Sequence, residues 1–87
     1  MPRLRLTREA QENLGALPAE LREAVAETIE SLAVDHESAG KPLVGRLRGL
    51  WSARVGNYRV LYTVEPSEIV VRAIRHRAVA YPRRRNR

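Results

Sequence analysis

The side chains best suited to chemistry in this chain are two arginines that flank a turn and a histidine further along. Arg54 and Arg59 stand two residues before and two residues after the dipeptide Gly56-Asn57, and His76 follows later in the sequence. Guanidinium groups grip phosphate through paired hydrogen bonds and stabilise negative charge as it develops. Histidine exchanges protons readily near neutral pH. These residue types predict a site that holds a phosphate and moves protons.

Residues 50–62 are predicted to bring the two arginines together in a β-hairpin. A two-residue Gly-Asn loop between β-branched and aromatic residues is typical of such hairpins. Pairing Val55 with Tyr58 across the turn puts Arg54 opposite Arg59, and directly paired residues share a face of the sheet. The other expected pairs are Ala53–Val60, Ser52–Leu61, Trp51–Tyr62 and Leu50–Thr63. The aromatic face would then be core, and the two arginines would oppose each other on the other face, which destabilises the sheet unless an anion lies between them.

The rest of the chain predicts an α+β domain with the order β-α-α-β-β-β. Residues 2–6 alternate charge and leucine as a short strand, Thr7 suits the N-cap of a short helix, and residues 18–37 carry the apolar stripe of a longer helix. Residues 68–75 alternate as a last strand. Such an order favours an antiparallel sheet with both helices on one face, which leaves the arginine face open.

A turn at Pro66-Ser67 sets the expected register of the last strand. If Glu65 faces Glu68, then Leu61 faces Arg72 and Arg59 faces Ile74, so Arg72 would join the arginine face. The connection at residues 42–49 adds two further cations, Arg46 and Arg48. These three arginines are candidates for contacts with a nucleic-acid backbone.

Charge is distributed unevenly along the 87 residues. Lys+Arg number 16 and Asp+Glu 10, for a net charge of +6, and Lys41 is the single lysine. Residues 1–40 hold 4 cations and 8 anions, a net of −4, whereas residues 41–87 hold 12 cations and 2 anions, a net of +10. A generally arginine-rich composition is the alternative explanation, but it does not account for the separation of sign. The basic half therefore indicates a polyanionic partner.

The bulk composition limits the other classes of function. The length fits one small domain, expected at residues 1–81, with residues 82–87 as a mobile basic tail. With no cysteine, the chain offers neither disulfides nor a cysteine-based metal site. No apolar run approaches the ~20 residues of a membrane span, and the N-terminus lacks the apolar core of a signal peptide. We therefore expect a cytoplasmic protein without membrane contact.

Two sequence signatures stand out in the basic half of the chain: the run KPLVGRLRGLWSARVGNYRVLYTVE at residues 41–65 and the closing HRAVAY at residues 76–81. Their combination resembles the RelE/ParE superfamily of toxins from type II toxin–antitoxin modules. RelE-like members are ribosome-dependent endoribonucleases that cut messenger RNA, whereas ParE-like members poison DNA gyrase. The closing His-Arg and Tyr favour the RelE-like branch. The family's functional positions match Arg59, His76, Arg77 and Tyr81, while Ser52 and Arg54 stand where well-described RelE-like enzymes have two lysines.

The resemblance implies metal-free RNA cleavage without a cofactor, in which a 2′-hydroxyl attacks the adjacent phosphorus. On this hypothesis Arg54 and Arg59 hold the scissile phosphate, and His76 is the acid or base. Arg77 would stabilise the leaving side or donate the proton, and Tyr81 would stack on a base or orient the 2′-hydroxyl. Arginine at position 54 keeps the positive charge but cannot readily give up a proton.

The resemblance also implies partners. A cognate antitoxin would wrap the toxin and cover or distort its basic face, the ribosome and messenger RNA would be the targets, and operator DNA would be contacted only through the antitoxin. Two alternatives stay open. The chain could be a ParE-like gyrase inhibitor, or it could be a non-catalytic member that survives as a binding module.

Overall fold

The computed structural model describes residues 2–80, which form two helices and five strands. The elements are β1 (Arg3–Leu6), α1 (Arg8–Gly15), α2 (Ala19–Ala39), β2 (Lys41–Pro42), β3 (Trp51–Val55), β4 (Tyr58–Val64) and β5 (Glu68–His76). Single 3₁₀ turns lie at Gly45–Leu47 and Arg77–Val79. None of the helices within this range has the length and apolar character needed to span a membrane. The prediction of a mobile tail at 82–87 falls outside the described residues.

The strands form one mixed sheet in the order β1-β5-β4-β3-β2. β1 runs parallel to β5, and the other neighbours are antiparallel. The predicted α+β fold, with two helices packed on the sheet, is confirmed. The structure adds the two-residue strand β2. The sheet is mixed rather than antiparallel, because the two helices carry the chain from β1 to β2 at the opposite edge and the following strands then lead back to β1, beside which β5 runs parallel.

Local sequence explains where the helices begin and bend. The Thr7 hydroxyl accepts a hydrogen bond from the Ala10 N–H at 3.1 Å and so caps α1. Pro18 directly precedes α2, where its missing N–H costs nothing. Near its end, α2 is interrupted at Asp35, whose φ of −158° and ψ of 81° are not helical. A further turn then runs to Ala39.

The core lies between the helices and one face of the sheet. Val25, Ile29 and Leu32 of α2 are buried, at the helical spacing predicted from the sequence. They pack with sheet residues that share the opposing face, namely Ala53, Val60, Tyr62, Ile69, Val71 and Ile74. Tyr62 is fully buried, and its hydroxyl donates to the His36 carbonyl at 2.9 Å. The phenol therefore fastens the end of α2 to the hairpin.

The predicted hairpin register is confirmed for the five pairs from Trp51↔Tyr62 to Val55↔Tyr58. At the turn Gly56 takes a φ of +58°, which glycine adopts without strain, while Asn57 keeps a negative φ. The expected pairing of Leu50 with Thr63 lies beyond the observed ladder, because β3 begins at Trp51.

The predicted register between β4 and β5 is right near the turn and wrong beyond it. The Glu65 N–H donates to the Glu68 carbonyl at 2.8 Å, and Tyr62 still pairs with Val71. A bulge between Leu61 and Tyr62 then shifts the ladder by one residue. Leu61 therefore pairs with Ala73 rather than Arg72, and Arg59 pairs with Arg75 rather than Ile74.

Candidate functional site

Three arginines lie side by side on the three central strands, close to the hairpin turn. Arg54 of β3 pairs with Arg59 of β4, and Arg59 pairs in turn with Arg75 of β5. Directly paired residues share a face, so the three form a row, which we call the arginine row. Sequence reasoning found the first two members and missed Arg75, because the one-residue bulge moves it into register.

The arginine row is only partly neutralised. Arg75 forms an ion pair with Glu9 of α1. Arg54 donates through Nε to the Gly56 carbonyl at 3.4 Å, and Arg59 donates through Nη1 to the Tyr58 carbonyl at 3.2 Å. Within residues 2–80 neither of these two arginines pairs with a carboxylate. Two adjacent guanidinium groups thus have no ion-pair partner among these residues.

Arg54 and Arg59 line a cleft of about 460 Å³. Its other walls come from the end of α2, from β2 and from β3, and the lining residues are Glu37, Ser38, Ala39, Gly40, Lys41, Leu43 and Ser52. The ladder pairs Lys41 with Ser52, so the lysine shares the face that carries Ser52 and Arg54. We call this the arginine cleft. Sequence reasoning missed Glu37 and Lys41, because only the two-residue pairing of β2 and the interrupted end of α2 bring them here.

His76 lies apart from the arginine cleft. It pairs with Tyr58, one position along from the Arg59–Arg75 pair, and successive residues of a strand point to opposite faces. The His76 and Tyr58 rings meet edge to face with centroids 5.3 Å apart. The His76 Nδ1 accepts from the Ala78 N–H at 3.1 Å, which caps the turn that follows β5.

His76 lines a second cleft, of about 540 Å³, at the α1 side of β5. Its neighbours there include Glu9, Asn13, Tyr58 and Arg75. The structure therefore brings Arg54 and Arg59 together but does not bring His76 to them.

Arg77 lies beside the hairpin turn. Its N–H donates to the Asn57 carbonyl at 2.7 Å, and the neighbouring Gly56 carbonyl accepts from Arg54. The backbone carbonyls of the Gly56-Asn57 turn thus bind both Arg77 and Arg54, and so link Arg77 to the arginine cleft. Tyr81 lies outside the described residues.

The three arginines predicted to contact a nucleic-acid backbone, Arg46, Arg48 and Arg72, differ in whether they form ion pairs. Arg46 and Arg48 are exposed at the 3₁₀ turn before β3, and neither forms an ion pair within the part of the chain that the structure describes. Arg72 donates through Nε to the Thr63 hydroxyl at 3.1 Å and pairs with Glu65 at 3.5 Å. Its charge is therefore already met by a carboxylate.

Two titratable groups near the cleft have shifted pKa values. Burial raises the pKa of the Tyr62 phenol to about 12, so the hydroxyl stays protonated as a hydrogen-bond donor. Two hydrogen bonds from Ser38 lower the pKa of the Asp35 carboxyl, and the bond from the Ser38 hydroxyl has a larger effect than the bond from the Ser38 N–H. The Asp35 carboxylate thereby caps the last turn of α2, which lines the arginine cleft.

Comparisons with known proteins show that this chain is similar to toxins. The family model described as "ParE toxin of type II toxin-antitoxin system, parDE" matches residues 4–81. Toxin RelG of Mycobacterium tuberculosis is 37% identical over 83 residues, which cover 92% of this chain and 95% of that protein.

Solved structures agree with these matches. The RelBE2 toxin–antitoxin complex of M. tuberculosis contains a chain that is 34% identical, with a TM-score of 0.80 over 87% of this chain and 99% of that one. The archaeal RelE-RelB complex of Pyrococcus horikoshii gives 25% identity and a TM-score of 0.67 over 87% and 94% of the two chains.

Proposed function

The chain belongs to the RelE/ParE superfamily of type II toxin–antitoxin toxins, and on that premise we propose that it is a ribosome-dependent endoribonuclease. It would cut messenger RNA without a metal ion and so inhibit translation in the cytoplasm. The observation that carries the proposal is the pair Arg54 and Arg59, which oppose each other across β3 and β4 without a carboxylate partner among residues 2–80.

A phosphate between these two guanidinium groups would turn a repulsive contact into an attractive one. Cross-strand like charges destabilise a sheet, whereas paired N–H donors bind phosphate oxygens strongly. The same donors would stabilise the extra negative charge of the pentavalent phosphorane as the 2′-hydroxyl attacks. The arginine cleft is thus the proposed position of the scissile phosphate.

The remaining site residues keep distinct proposed roles. Arg77, tied to the same turn as Arg54, would stabilise the leaving side of the reaction. The acid or base role of His76 stays a prediction, and it requires the RNA to reach the second cleft at the end of β5. Tyr81 would stack on a base or orient the 2′-hydroxyl. Arg46 and Arg48 would bind the RNA backbone on the hairpin side.

A cognate antitoxin is the proposed protein partner. Two relatives of this chain, from M. tuberculosis and P. horikoshii, were solved as toxin–antitoxin complexes. An antitoxin segment that covers or distorts the arginine face would block phosphate binding there. Operator DNA would be reached only through that antitoxin.

The test is a purified translation reaction in which cuts in ribosome-bound mRNA are mapped by primer extension. Wild-type protein should cut, and Arg59→Ala should reduce cutting by about 100-fold or more, because it removes a donor aimed at developing charge. Arg8→Ala, which removes an exposed cation of α1 that does not line the arginine cleft, is the matched control and should cut like wild type. Equal cutting by Arg59→Ala would contradict the site.

Gyrase inhibition is the second candidate, and the family model that matches residues 4–81 favours it, since that model describes a ParE toxin. Loss of gyrase supercoiling with intact mRNA would support this candidate and exclude the nuclease. A chain that stops neither translation nor replication would instead be a non-catalytic binding member of the superfamily.

A further inference from the structure

The arginine cleft contains positive charge that can hold a phosphate, but RNA cleavage there also requires groups that transfer protons. Guanidinium groups are not deprotonated in proteins, so Arg54 and Arg59 cannot serve as the acid or the base. Position 52 carries serine, and His76 lies in the second cleft. Among the described residues that line the arginine cleft, Glu37 and Lys41 are the remaining charged groups that can exchange a proton.

We propose that Lys41 is the proton donor of the arginine cleft and that Glu37 is its proton acceptor. The proposal rests on the nuclease function above and deepens it, because it assigns to two residues of the arginine cleft the proton transfer that was predicted for His76. Both side chains line the cleft together with Arg54 and Arg59. Lys41 is the single lysine of the sequence, and an ammonium group, unlike a guanidinium, can give up a proton.

The position of Lys41 follows from the sheet register. Lys41 pairs with Ser52, and adjacent strands are about 4.8 Å apart, so the lysine stands one strand away from Ser52 and on the same face. An amine from β2 thereby reaches the surface next to the serine. Lys41 is exposed and forms no ion pair with any residue between 2 and 80. Its ammonium group is therefore available to a substrate.

Short-range contacts fix the backbone on both sides of Lys41. The Gly40 N–H donates to the His36 carbonyl at 3.1 Å, and the Leu43 N–H donates to the Leu50 carbonyl at 2.8 Å. Gly40 also packs so closely that a Cβ there would lie 2.9 Å from the Ser52 carbonyl oxygen. The strand that presents Lys41 is consequently held in place despite its length of two residues.

Glu37 reaches the cleft from the last turn of α2. The carboxylate of Asp35 accepts from the Ser38 N–H at 3.2 Å and from the Ser38 hydroxyl at 2.7 Å, and this cap orders the turn that carries Glu37. Glu37 is exposed and has no ion-pair partner in the described part of the chain. Its carboxylate is free to accept a proton.

With these two residues, every proton transferred in the cleavage reaction has a donor and an acceptor within the cleft. The 2′-oxygen forms a bond to phosphorus as its proton passes to the Glu37 carboxylate, and the bond from phosphorus to the 5′-oxygen breaks as Lys41 protonates that oxygen. The products are a 2′,3′-cyclic phosphate and a 5′-hydroxyl. Solvent water afterwards carries the proton from the Glu37 carboxylic acid back to the Lys41 amine.

The experiment measures single-turnover cutting of ribosome-bound mRNA by wild type, Lys41→Arg, Glu37→Gln and His76→Gln, with Arg8→Ala as the surface control. A second mRNA carries sulfur in place of the 5′-oxygen at the scissile bond. Thiols are far stronger acids than alcohols, so a thiolate leaves without a proton donor. Ribosome binding is measured in parallel by cosedimentation.

Lys41→Arg keeps the charge of Lys41 and should still bind ribosomes, but it should cut the normal mRNA about 100-fold or more slowly, the usual contribution of a general acid. The sulfur substrate should restore its rate to that of wild type. Glu37→Gln should lose a similar factor on both substrates, because the 2′-hydroxyl proton still needs an acceptor. Arg8→Ala should match wild type.

Three results would overturn the proposal. They are unchanged cutting by Lys41→Arg, loss in Lys41→Arg that the sulfur substrate does not restore, and sulfur rescue of His76→Gln instead, which would return the donor role to His76. Failure of the wild type to cut any mRNA would overturn the proposed nuclease function itself, and the assignment of Lys41 and Glu37 with it.

Discussion

Replacing Arg54 by threonine should make the isolated protein more stable while removing its proposed activity. Arg54 opposes Arg59 directly, and neither forms an ion pair with a carboxylate among residues 2–80. Threonine fits a strand well and pairs without repulsion. A like-charge cross-strand pair is unfavourable by roughly 0.2–1 kcal/mol, so we expect the free energy of unfolding to rise by about 0.5 kcal/mol. For a domain of this size that corresponds to an increase in Tm of about 2–4 °C.

The assay combines urea denaturation with thermal melts at low and high salt. Salt screens the repulsion between exposed charges, so wild type should gain stability on adding salt and Arg54→Thr should gain less. Arg54→Lys keeps the positive charge and is the matched control, with wild-type stability expected. Inorganic phosphate should raise the Tm of wild type more than that of Arg54→Thr, because only the wild type keeps both donors.

A lower stability of Arg54→Thr would refute this reasoning. It would mean that the aliphatic part of Arg54 contributes more by packing than its charge loses by repulsion. An equal gain in stability on adding salt in wild type and in Arg54→Thr would also contradict the reasoning. The salt effect would then not come from screening of the repulsion between Arg54 and Arg59.

Three further outcomes follow from other contacts. Gly40→Ala should lower the free energy of unfolding by about 1–3 kcal/mol in urea denaturation, because its Cβ would overlap the Tyr62 hydroxyl. In an alkaline titration followed by tyrosinate absorbance, Tyr62 should ionise at about pH 12, and because its pKa is raised on folding, the stability it contributes should be lost as pH rises from about 10 to about 12. Arg48→Ala should make the negative slope of log K against log salt for single-stranded RNA shallower by about 0.7, whereas Arg72→Ala should leave the slope nearly unchanged, because Arg72 already pairs with Glu65.

The hairpin was predictable because its information is local. Gly56-Asn57 fixes the turn, and a fixed turn determines every pair above it, as the five confirmed pairs from Trp51↔Tyr62 to Val55↔Tyr58 show. The same parity argument failed on β5 at Arg72, where one additional residue enters the strand as a bulge. Nothing in an alternating sequence marks where such a residue will be accommodated, and so Arg75 was not recognised as part of the arginine row.

The candidate site was predictable only where it lies on one hairpin. Arg54 and Arg59 are five residues apart and meet through the turn between them. Glu37 and Lys41 reach the same cleft through the interruption of α2 at Asp35 and through a strand of two residues, and neither feature has a periodic pattern. The side of the sheet on which His76 lies depends on the bulge as well, because a shift of one residue exchanges the faces of everything beyond it.

The parallel pairing of β1 with β5 has a consequence for how this chain is made. Arg3 pairs with Glu68, a separation of 68 − 3 = 65 residues, so the first strand is synthesised long before its partner exists. At about 5–20 residues per second the ribosome needs roughly 3–13 s to add those residues. During that time β1 and the apolar stripes of both helices have no completed sheet to pack on. The five-stranded sheet can therefore be completed only after β5 has been synthesised.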